Sequence, residues 1–234
     1  MGALGIVVVV MTSVVAGSLG SDFSLLHPKV AWRFGFSSAD DVCQIGTGVM
    51  EEISATRLLP APVLRIGARR GLFPPGVGAN VPFTIANYAY RDTLGREVLA
   101  FGRRFAFPGR TGILNSLMVT GTDSALDYLG NKPDMVVHTS CSVGEDGALL
   151  LHSDPPRVLT WPFTIRAPAV MSAITEAREG WDETNQRHTI EVSVRSPAMG
   201  ELLSYRGWFT AVAKPCTREE IPAELIPAHI ESRE

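Results

Sequence analysis

A carboxylate within an apolar strand pattern is the first candidate for chemistry in this chain. Glu176 ends the run Ala169–Glu176, whose other residues are apolar or small. A carboxylate that points inward from such a strand has a raised pKa and can act as a general acid. The structural alternative is a salt bridge to Arg178, Arg104 or Arg206, because ion pairs perturb carboxylates as readily as active sites do.

Two adjacent arginines are the second candidate. Arg103 and Arg104 lie on opposite faces of a predicted strand, so only one of them can point inward. The face of Arg104 leaves room for a ligand because it carries the small residues Val98, Ala100 and Gly102. The face of Arg103 is core-like, with Leu99, Phe101 and Phe105. We therefore select Arg104, which can polarise a carbonyl group or bind a carboxylate through two hydrogen bonds. The alternative is an arginine stem packed on the surface.

The closing strand supplies the third candidate. Tyr205 alternates with Leu203 and Phe209, which directs its ring inward, and its hydroxyl then needs a hydrogen-bond partner. That partner is a ligand oxygen or, in a purely structural role, a backbone group. The sequence thus assigns Glu176, Arg104 and Tyr205 the catalytic roles of acid, carbonyl polariser and orienting hydroxyl.

Other catalytic patterns have less support. His138 and His152 lie on the strands of one predicted hairpin and could share a metal ion, but no third ligand stands at a recognisable spacing. A single catalytic base is the other option for this pair. A Gly-x-Ser-x-Gly motif is missing, and the two Gly-x-Gly pairs have no βαβ unit around them. We therefore expect no metal and no cofactor.

Composition restricts the partners. The formal net charge is -3, and the arginines are scattered, which argues against nucleic acid as the main partner. Three cysteines lie far apart without a CxxC pair, which disfavours a disulfide framework and a zinc site and favours the cytoplasm. The apolar run Gly2–Gly17 is too short for a comfortable membrane span.

The apolar periodicity predicts mostly strands. Alternating runs flank a Gly144–Gly147 turn as Met135–Val143 and Ala148–Ser153, and a second hairpin pairs Ala173–Glu179 with His188–Arg195. We also expect a short strand over Val63–Ile66, a connection over Asp123–Pro133, and a helix before Pro28 that this proline limits to a short turn. About ten strands at short spacing predict a mainly β fold: an antiparallel β-barrel or half-barrel with one or two short helices near the amino terminus.

The chain divides into three segments. Residues 18–213 form a single barrel-like domain, and residues 214–234 form a charged carboxyl-terminal tail that we expect to be exposed. Residues 1–17 are a buried first strand, a weak signal peptide, or an extension upstream of a chain that starts at Met11.

Several motifs are shared with a known family. The stretches Ile190–Gly200 and Tyr205–Phe209 contain a P-x-x-G turn and a Y-x-G-x-F strand, and Ser18–Pro28, Arg103–Phe105 and Asp127–Gly130 carry further matches. With these motifs the chain resembles an uncharacterised bacterial family, domain of unknown function 4166. The resemblance spans Ser18 to Phe209, with a departure at Asp40–Ala79. It implies no particular activity, because the family has none assigned.

A looser similarity concerns size, barrel character and an Arg/Ala/Gly-rich composition. In these respects the chain is similar to small cofactor-free cyclases of actinobacterial polyketide pathways, including spiroketal-forming cyclases. The similarity favours a cofactor-independent cyclase or isomerase acting on an apolar natural product such as a polyketide, for instance by forming a spiroketal from a hydroxy-ketone in a barrel pocket.

Two other functions stay open. One is a non-catalytic binding protein or carrier for a small lipid-like ligand, and the other is a structural or interaction module. The expected partner is a small apolar organic molecule. The oligomeric state is open, with a homodimer as one option.

Overall fold

A computed structural model describes residues 12–56, 61–72, 74, 76–121, 124–131, 135–160, 163–166 and 172–227. The predicted strand-forming run at Val7–Val10 lies outside these residues. The strands are β1 (Val42–Ala55), β2 (Gly78–Arg91), β3 (Glu97–Phe107), β4 (Arg110–Val119), β5 (Ala125–Leu129), β6 (Met135–Val143), β7 (Leu149–Ser153), β8 (Arg157–Thr160), β9 (Phe163–Arg166), β10 (Ile174–Asp182), β11 (Arg187–Ser196) and β12 (Gly200–Pro215). The helices are α1 (Val14–Leu19), α2 (Pro28–Phe34) and α3 (Ala61–Arg69), with short 3-10 turns at Gly20–Leu25, Arg218–Glu220 and Ala223–Leu225.

The strands close into a barrel. All pairings between neighbours are antiparallel, in the order β5-β4-β3-β2-β1-β12-β11-β10-β7-β6, and β5 pairs back onto β6. This closure leaves the ten-stranded ring without a free edge. Strands β8 and β9 form a hairpin that extends from β6 outside the ring. The predicted mainly antiparallel β-barrel is confirmed, and so are both predicted hairpins, as β6–β7 and β10–β11.

Helices α1 and α2 fill one end of the barrel. Their apolar residues, among them Val14, Val30 and Phe34, are buried in the main core. The His27 backbone N–H donates to the Gly147 carbonyl at 2.9 Å, on the β6–β7 hairpin. Further along, the Ser38 hydroxyl donates to Glu97 Oε2 at 2.8 Å, where β3 begins. The amino-terminal segment therefore crosses the barrel end from one wall to the other.

Arg33 fastens α2 from inside the barrel. Its side chain is fully buried, and its nitrogens donate to three acceptors: Glu179 Oε1 at 2.8 Å, Gln44 Oε1 at 3.0 Å and Asn87 Oδ1 at 2.6 Å. These acceptors lie on β10, β1 and β2, so one guanidinium group joins the helix to three strands. Because the ion pair with Glu179 is buried, loss of either partner would leave an uncompensated charge, at a cost of about 3–5 kcal/mol.

Two local predictions were wrong. The Val63–Ile66 segment belongs to helix α3, in which Pro62 stands in the first turn, where a missing N–H costs no hydrogen bond. The Asp123–Pro133 connection contains strand β5. The short helical turn expected before Pro28 is present as the 3-10 turn Gly20–Leu25, and Pro28 then begins α2, with His27 as its cap. In the described part of the chain, no helix has the length and apolar character needed to cross a membrane.

A second, smaller core lies on the outer side of the barrel wall. Ile221 and Leu225 are buried there, although we expected the carboxyl-terminal tail to be exposed. Leu225 lies over Gly102 of β3, and its backbone carbonyl accepts a hydrogen bond from the Tyr90 hydroxyl at 2.8 Å. Strand β3 is therefore covered on both faces, by the barrel interior and by this segment.

Candidate functional site

A cavity of about 190 Å³ occupies the barrel interior on the side away from α1 and α2. Most of its wall is apolar, with side chains from β6, β7 and β10 to β12. Half-buried residues form its outer end, among them Leu72, Met135 and Ala173. The size compares with a cavity of about 150 Å³, which suffices to bind benzene. The cavity can therefore enclose about one ring with a short substituent, and a longer molecule would extend past the outer end.

One wall of the cavity carries a row of polar side chains. Across neighbouring strands, the register sets each residue of the row diagonal to or opposite the next, all on the inward face. We call this set the polar row: Arg103 (β3), Ser116 (β4), Asp127 (β5), Thr139 (β6) and Ser153 (β7). Such a line follows the tilt of the strands in a closed barrel. The polar row thus places five hydrogen-bonding side chains along one side of a mostly apolar space.

Asp127 is the carboxylate of this site. It faces the cavity from β5, and burial of its carboxyl group raises its pKa to about 6, although the positive charge of Arg103 and the Ser116 hydroxyl oppose the rise. Its Oδ1 atom is shielded from water and has no hydrogen-bond partner. A carboxyl group with a free oxygen and a pKa near neutrality can both accept and return a proton at physiological pH.

Arg103 is the inward arginine. Its Nη1 atom donates to the Ser116 hydroxyl at 3.4 Å, its guanidinium lies over the Phe101 ring at 4.9 Å, and its Nε atom has no partner. Among the residues that the structure describes, neither Arg103 nor Asp127 has a direct ion-pair partner. The two charges act on each other at a distance. A small polar group of a ligand could therefore interact with both.

Tyr205 also lines the cavity, as its inward alternation predicted. Its side chain is buried, and its ring meets that of Phe105 edge to face, with centroids 5.6 Å apart. Burial raises the pKa of the Tyr205 phenol, so the hydroxyl keeps its proton and acts as a donor. Its catalytic role stays a prediction.

The other two predicted site residues lie outside the barrel. The Glu176 side chain is 67% exposed, and its Oε1 atom is 3.9 Å from His152 Nδ1. The Arg104 side chain is 52% exposed, and its Nη2 atom donates to Glu224 Oε1 at 3.0 Å. The structure therefore does not bring Glu176, Arg104 and Tyr205 together. The faces of β3 are the reverse of those expected, with Arg103 inside and Arg104 outside.

The two histidines of the β6–β7 hairpin do not face each other directly. His152 pairs with Ser140, and His138 lies 3.2 Å from the Ser124 hydroxyl. Within the described ranges, no group of three or more His, Cys, Asp or Glu residues is arranged to hold a metal ion.

The sequence contains a signal for Asp127, although it is not among the predicted catalytic residues. Asp127 opens the Asp127–Gly130 motif of the resemblance, but it stood in a segment that was expected to be a connection. A carboxylate between Leu126 and Tyr128 in a strand is unusual, because strands rarely contain Asp. That pattern, read as a strand, would have indicated an inward polar group.

The fold and the cavity define a class: a closed antiparallel β-barrel whose interior holds a small amphipathic cavity with a buried carboxyl group. The chain belongs to the family described as domain of unknown function (DUF4166), whose model matches residues 26–209. Among curated proteins it is similar to the uncharacterized protein YndH of Bacillus subtilis (strain 168), with 29% identity over 191 residues, covering 80% of this chain and 92% of the relative. No solved structure gives a significant match.

Proposed function

We propose that this protein is a cofactor-independent cyclase or isomerase that performs acid–base chemistry on an apolar small molecule in the barrel cavity. The observation that carries the proposal is Asp127, a buried carboxyl group with a free oxygen at the wall of an apolar cavity. A protein that only stores a ligand gains nothing from a desolvated, unpaired carboxylate, whose burial costs free energy. An enzyme gains from such a group, because a buried carboxylate is a stronger base than an exposed one.

The arrangement fits the ring closure of a hydroxy-ketone. At neutral pH Asp127 is mainly ionised, since its pKa is about 6. The carboxylate accepts the hydroxyl proton while the hydroxyl oxygen forms a bond to the carbonyl carbon. The electron pair of the carbonyl π bond moves to its oxygen, and Arg103 stabilises the resulting negative charge. Asp127 then returns the proton to that oxygen, which gives a hemiketal and restores the enzyme.

The same two groups support an isomerisation. Asp127 can remove a proton from the carbon beside a carbonyl group, with Arg103 at the developing oxyanion, and return it at another carbon. The Tyr205 hydroxyl serves as an orienting donor in both cases. An apolar wall suits the rest of the substrate, which in the natural reaction is an apolar product of secondary metabolism such as a polyketide.

The first prediction tests Asp127 with a simple probe. Levulinyl alcohol, a short γ-hydroxy ketone, exchanges slowly with its cyclic hemiketal, and magnetisation-transfer NMR measures the exchange rate. We expect catalytic amounts of protein to accelerate this exchange. Asp127→Asn should reduce the acceleration by roughly two to four orders of magnitude, because it removes the proton acceptor.

The controls separate catalysis from fold and from binding. Asp22→Asn changes an exposed aspartate and should leave the rate unchanged. Glu176→Gln tests the residue selected from the sequence, and a loss of rate there would move the chemistry away from Asp127. Binding without acceleration by the unaltered protein would favour the alternative of a carrier for a lipid-like ligand.

A further inference from the structure

The polar row has unused hydrogen-bonding capacity. Asp127 Oδ1, Thr139 Oγ1 and Arg103 Nε are all buried and have no partner. A buried donor or acceptor that is left without a partner destabilises the fold. Thr139 lies on the strand next to Asp127, one diagonal step along the row. Thr139 Oγ1 and Arg103 Nε are donors on one cavity wall, so an accepting oxygen of a ligand would be stabilised along it, whereas the ionised Asp127 Oδ1 can only accept.

The charges of the row restrict the ligand further. Arg103 and Asp127 carry opposite charges, so the row is close to neutral as a whole. An ionised ligand would add an uncompensated charge to a desolvated space, which is costly. An uncharged oxygen group such as a carbonyl meets no such penalty, and it can accept from Thr139 and from the Arg103 guanidinium.

The cavity wall opposite the polar row determines the orientation of the ligand. It carries apolar side chains of β10, β11 and β12, among them Ala177, Val192 and Leu203. The Tyr205 hydroxyl is a further donor on β12. Only along the polar row, however, does a ligand oxygen meet buried donors that have no partner, Thr139 Oγ1 and Arg103 Nε.

From these features we propose that the cavity selects uncharged molecules of about one ring in width that carry a carbonyl group, and that Thr139 is a specificity-determining residue that binds this oxygen. The inference rests on the cavity of the proposed function and names its substrate class. It does not depend on Asp127 moving a proton.

Three matched probes test the preference. Acetophenone has a ring and a carbonyl, ethylbenzene has a similar shape without the oxygen, and benzoate has a similar size with a negative charge. Isothermal titration of the full chain at a pH above 7 should show acetophenone binding at least about tenfold more tightly than either of the others.

Thr139→Val provides the residue-level test because it keeps the shape and removes the hydroxyl. It should bring the affinity for acetophenone close to that for ethylbenzene and leave ethylbenzene itself unchanged. Thr210→Val, at an exposed position of β12, is the matched control and should change neither affinity. Equal binding of acetophenone and ethylbenzene by the unaltered protein would overturn the proposal, and so would benzoate binding as tightly as acetophenone or a lack of binding by all three.

The outcomes for the two proposals can be separated. If acetophenone is preferred but Asp127→Asn leaves the rate with levulinyl alcohol unchanged, the ligand class stands and the acid–base function fails. If Asp127→Asn abolishes the acceleration while benzoate binds as well as acetophenone, the acid–base function stands and the ligand class is wrong.

Discussion

At the scale of single residues, the barrel interior contains two pairs of opposite charges, one beneath the helices and one at the cavity wall. Arg33 and Glu179 form a bonded pair beneath the helices, where each of the three guanidinium nitrogens donates to an acceptor. Arg103 and Asp127 form an unbonded pair at the cavity wall. The first arrangement is typical of a structural ion pair and the second of a site that awaits a ligand, because buried charges without partners are rarely retained for stability.

The unpaired state of Asp127 predicts an inverse dependence of stability on pH. Its folded-state pKa of about 6 lies above the ordinary value of 3.8. Between these two pH values the folded state holds a proton that the unfolded state has lost, so its contribution to stability falls as pH rises through the window. Asp127→Asn removes this dependence and should be more stable than the unaltered protein at pH 7, by roughly 2 kcal/mol, but not at pH 4.

Urea denaturation at several pH values measures this difference. Asp22→Asn serves as the control, since an exposed aspartate should show no such window. A constant difference between Asp127→Asn and the unaltered protein from pH 4 to pH 7 would contradict the raised pKa.

The positions of Arg103 and Arg104 show how much of the site can be predicted from the sequence at this scale. Alternation placed Arg103 and Arg104 on opposite faces correctly. It could not say which face was inside, because β3 is buried on both sides. The small residues beside Arg104 make room for Leu225 of the carboxyl-terminal segment rather than for a ligand. Only the path of a distant part of the chain decides between the faces.

At the scale of elements, the closing of the barrel depends on close approach between strands β1, β2 and β12. A Cβ atom on Gly46 would lie 2.7 Å from Ile85 Cγ2 and 2.7 Å from Phe209 Cδ2. The glycine therefore lets two large side chains fill the barrel centre beside β1. Overpacking at such a position displaces well-packed neighbours.

Gly46→Ala should accordingly destabilise the protein by about 1–3 kcal/mol in urea denaturation. Gly17→Ala is the matched control, because Gly17 lies in helix α1 with open space at its Cβ position, and alanine favours a helix over glycine by about 1 kcal/mol. An equal effect of the two substitutions would mean that the interior at Gly46 adapts more freely than its contacts indicate.

The elements that the sequence predicted are those with local signals. The β6–β7 and β10–β11 hairpins have alternating runs on both sides of a turn, and these patterns do not depend on the rest of the fold. Helix α3 contains both Pro62 and Gly67 and therefore lacks the composition of a typical helix. Strand β5 contains Asp127, which lines a cavity rather than a core, so the apolar periodicity that reveals strands is interrupted at this residue.

At the scale of the whole molecule, the carboxyl-terminal segment is a part of the folded unit. It covers an outer patch of the wall through Ile221 and Leu225, directly behind the strand that carries Arg103. We expect Leu225→Ala to cost about 2–4 kcal/mol of stability, as other buried leucines do. Leu94→Ala, at a 50% exposed leucine, should change stability by less than about 0.5 kcal/mol.

Thermal and urea unfolding followed by near-ultraviolet circular dichroism provide the measurement. A Leu225→Ala variant as stable as Leu94→Ala would show that the segment contributes little beyond local contacts.

The filled end of the barrel affects how substrate and product occupy the cavity. Helices α1 and α2 fill the end held by Arg33, and the half-buried lining residues Leu72, Met135 and Ala173 lie at the other end of the cavity. A cavity of about 190 Å³ holds one such molecule at a time. Under the proposed function, product and substrate are therefore mutually exclusive occupants, so product inhibition would be strictly competitive.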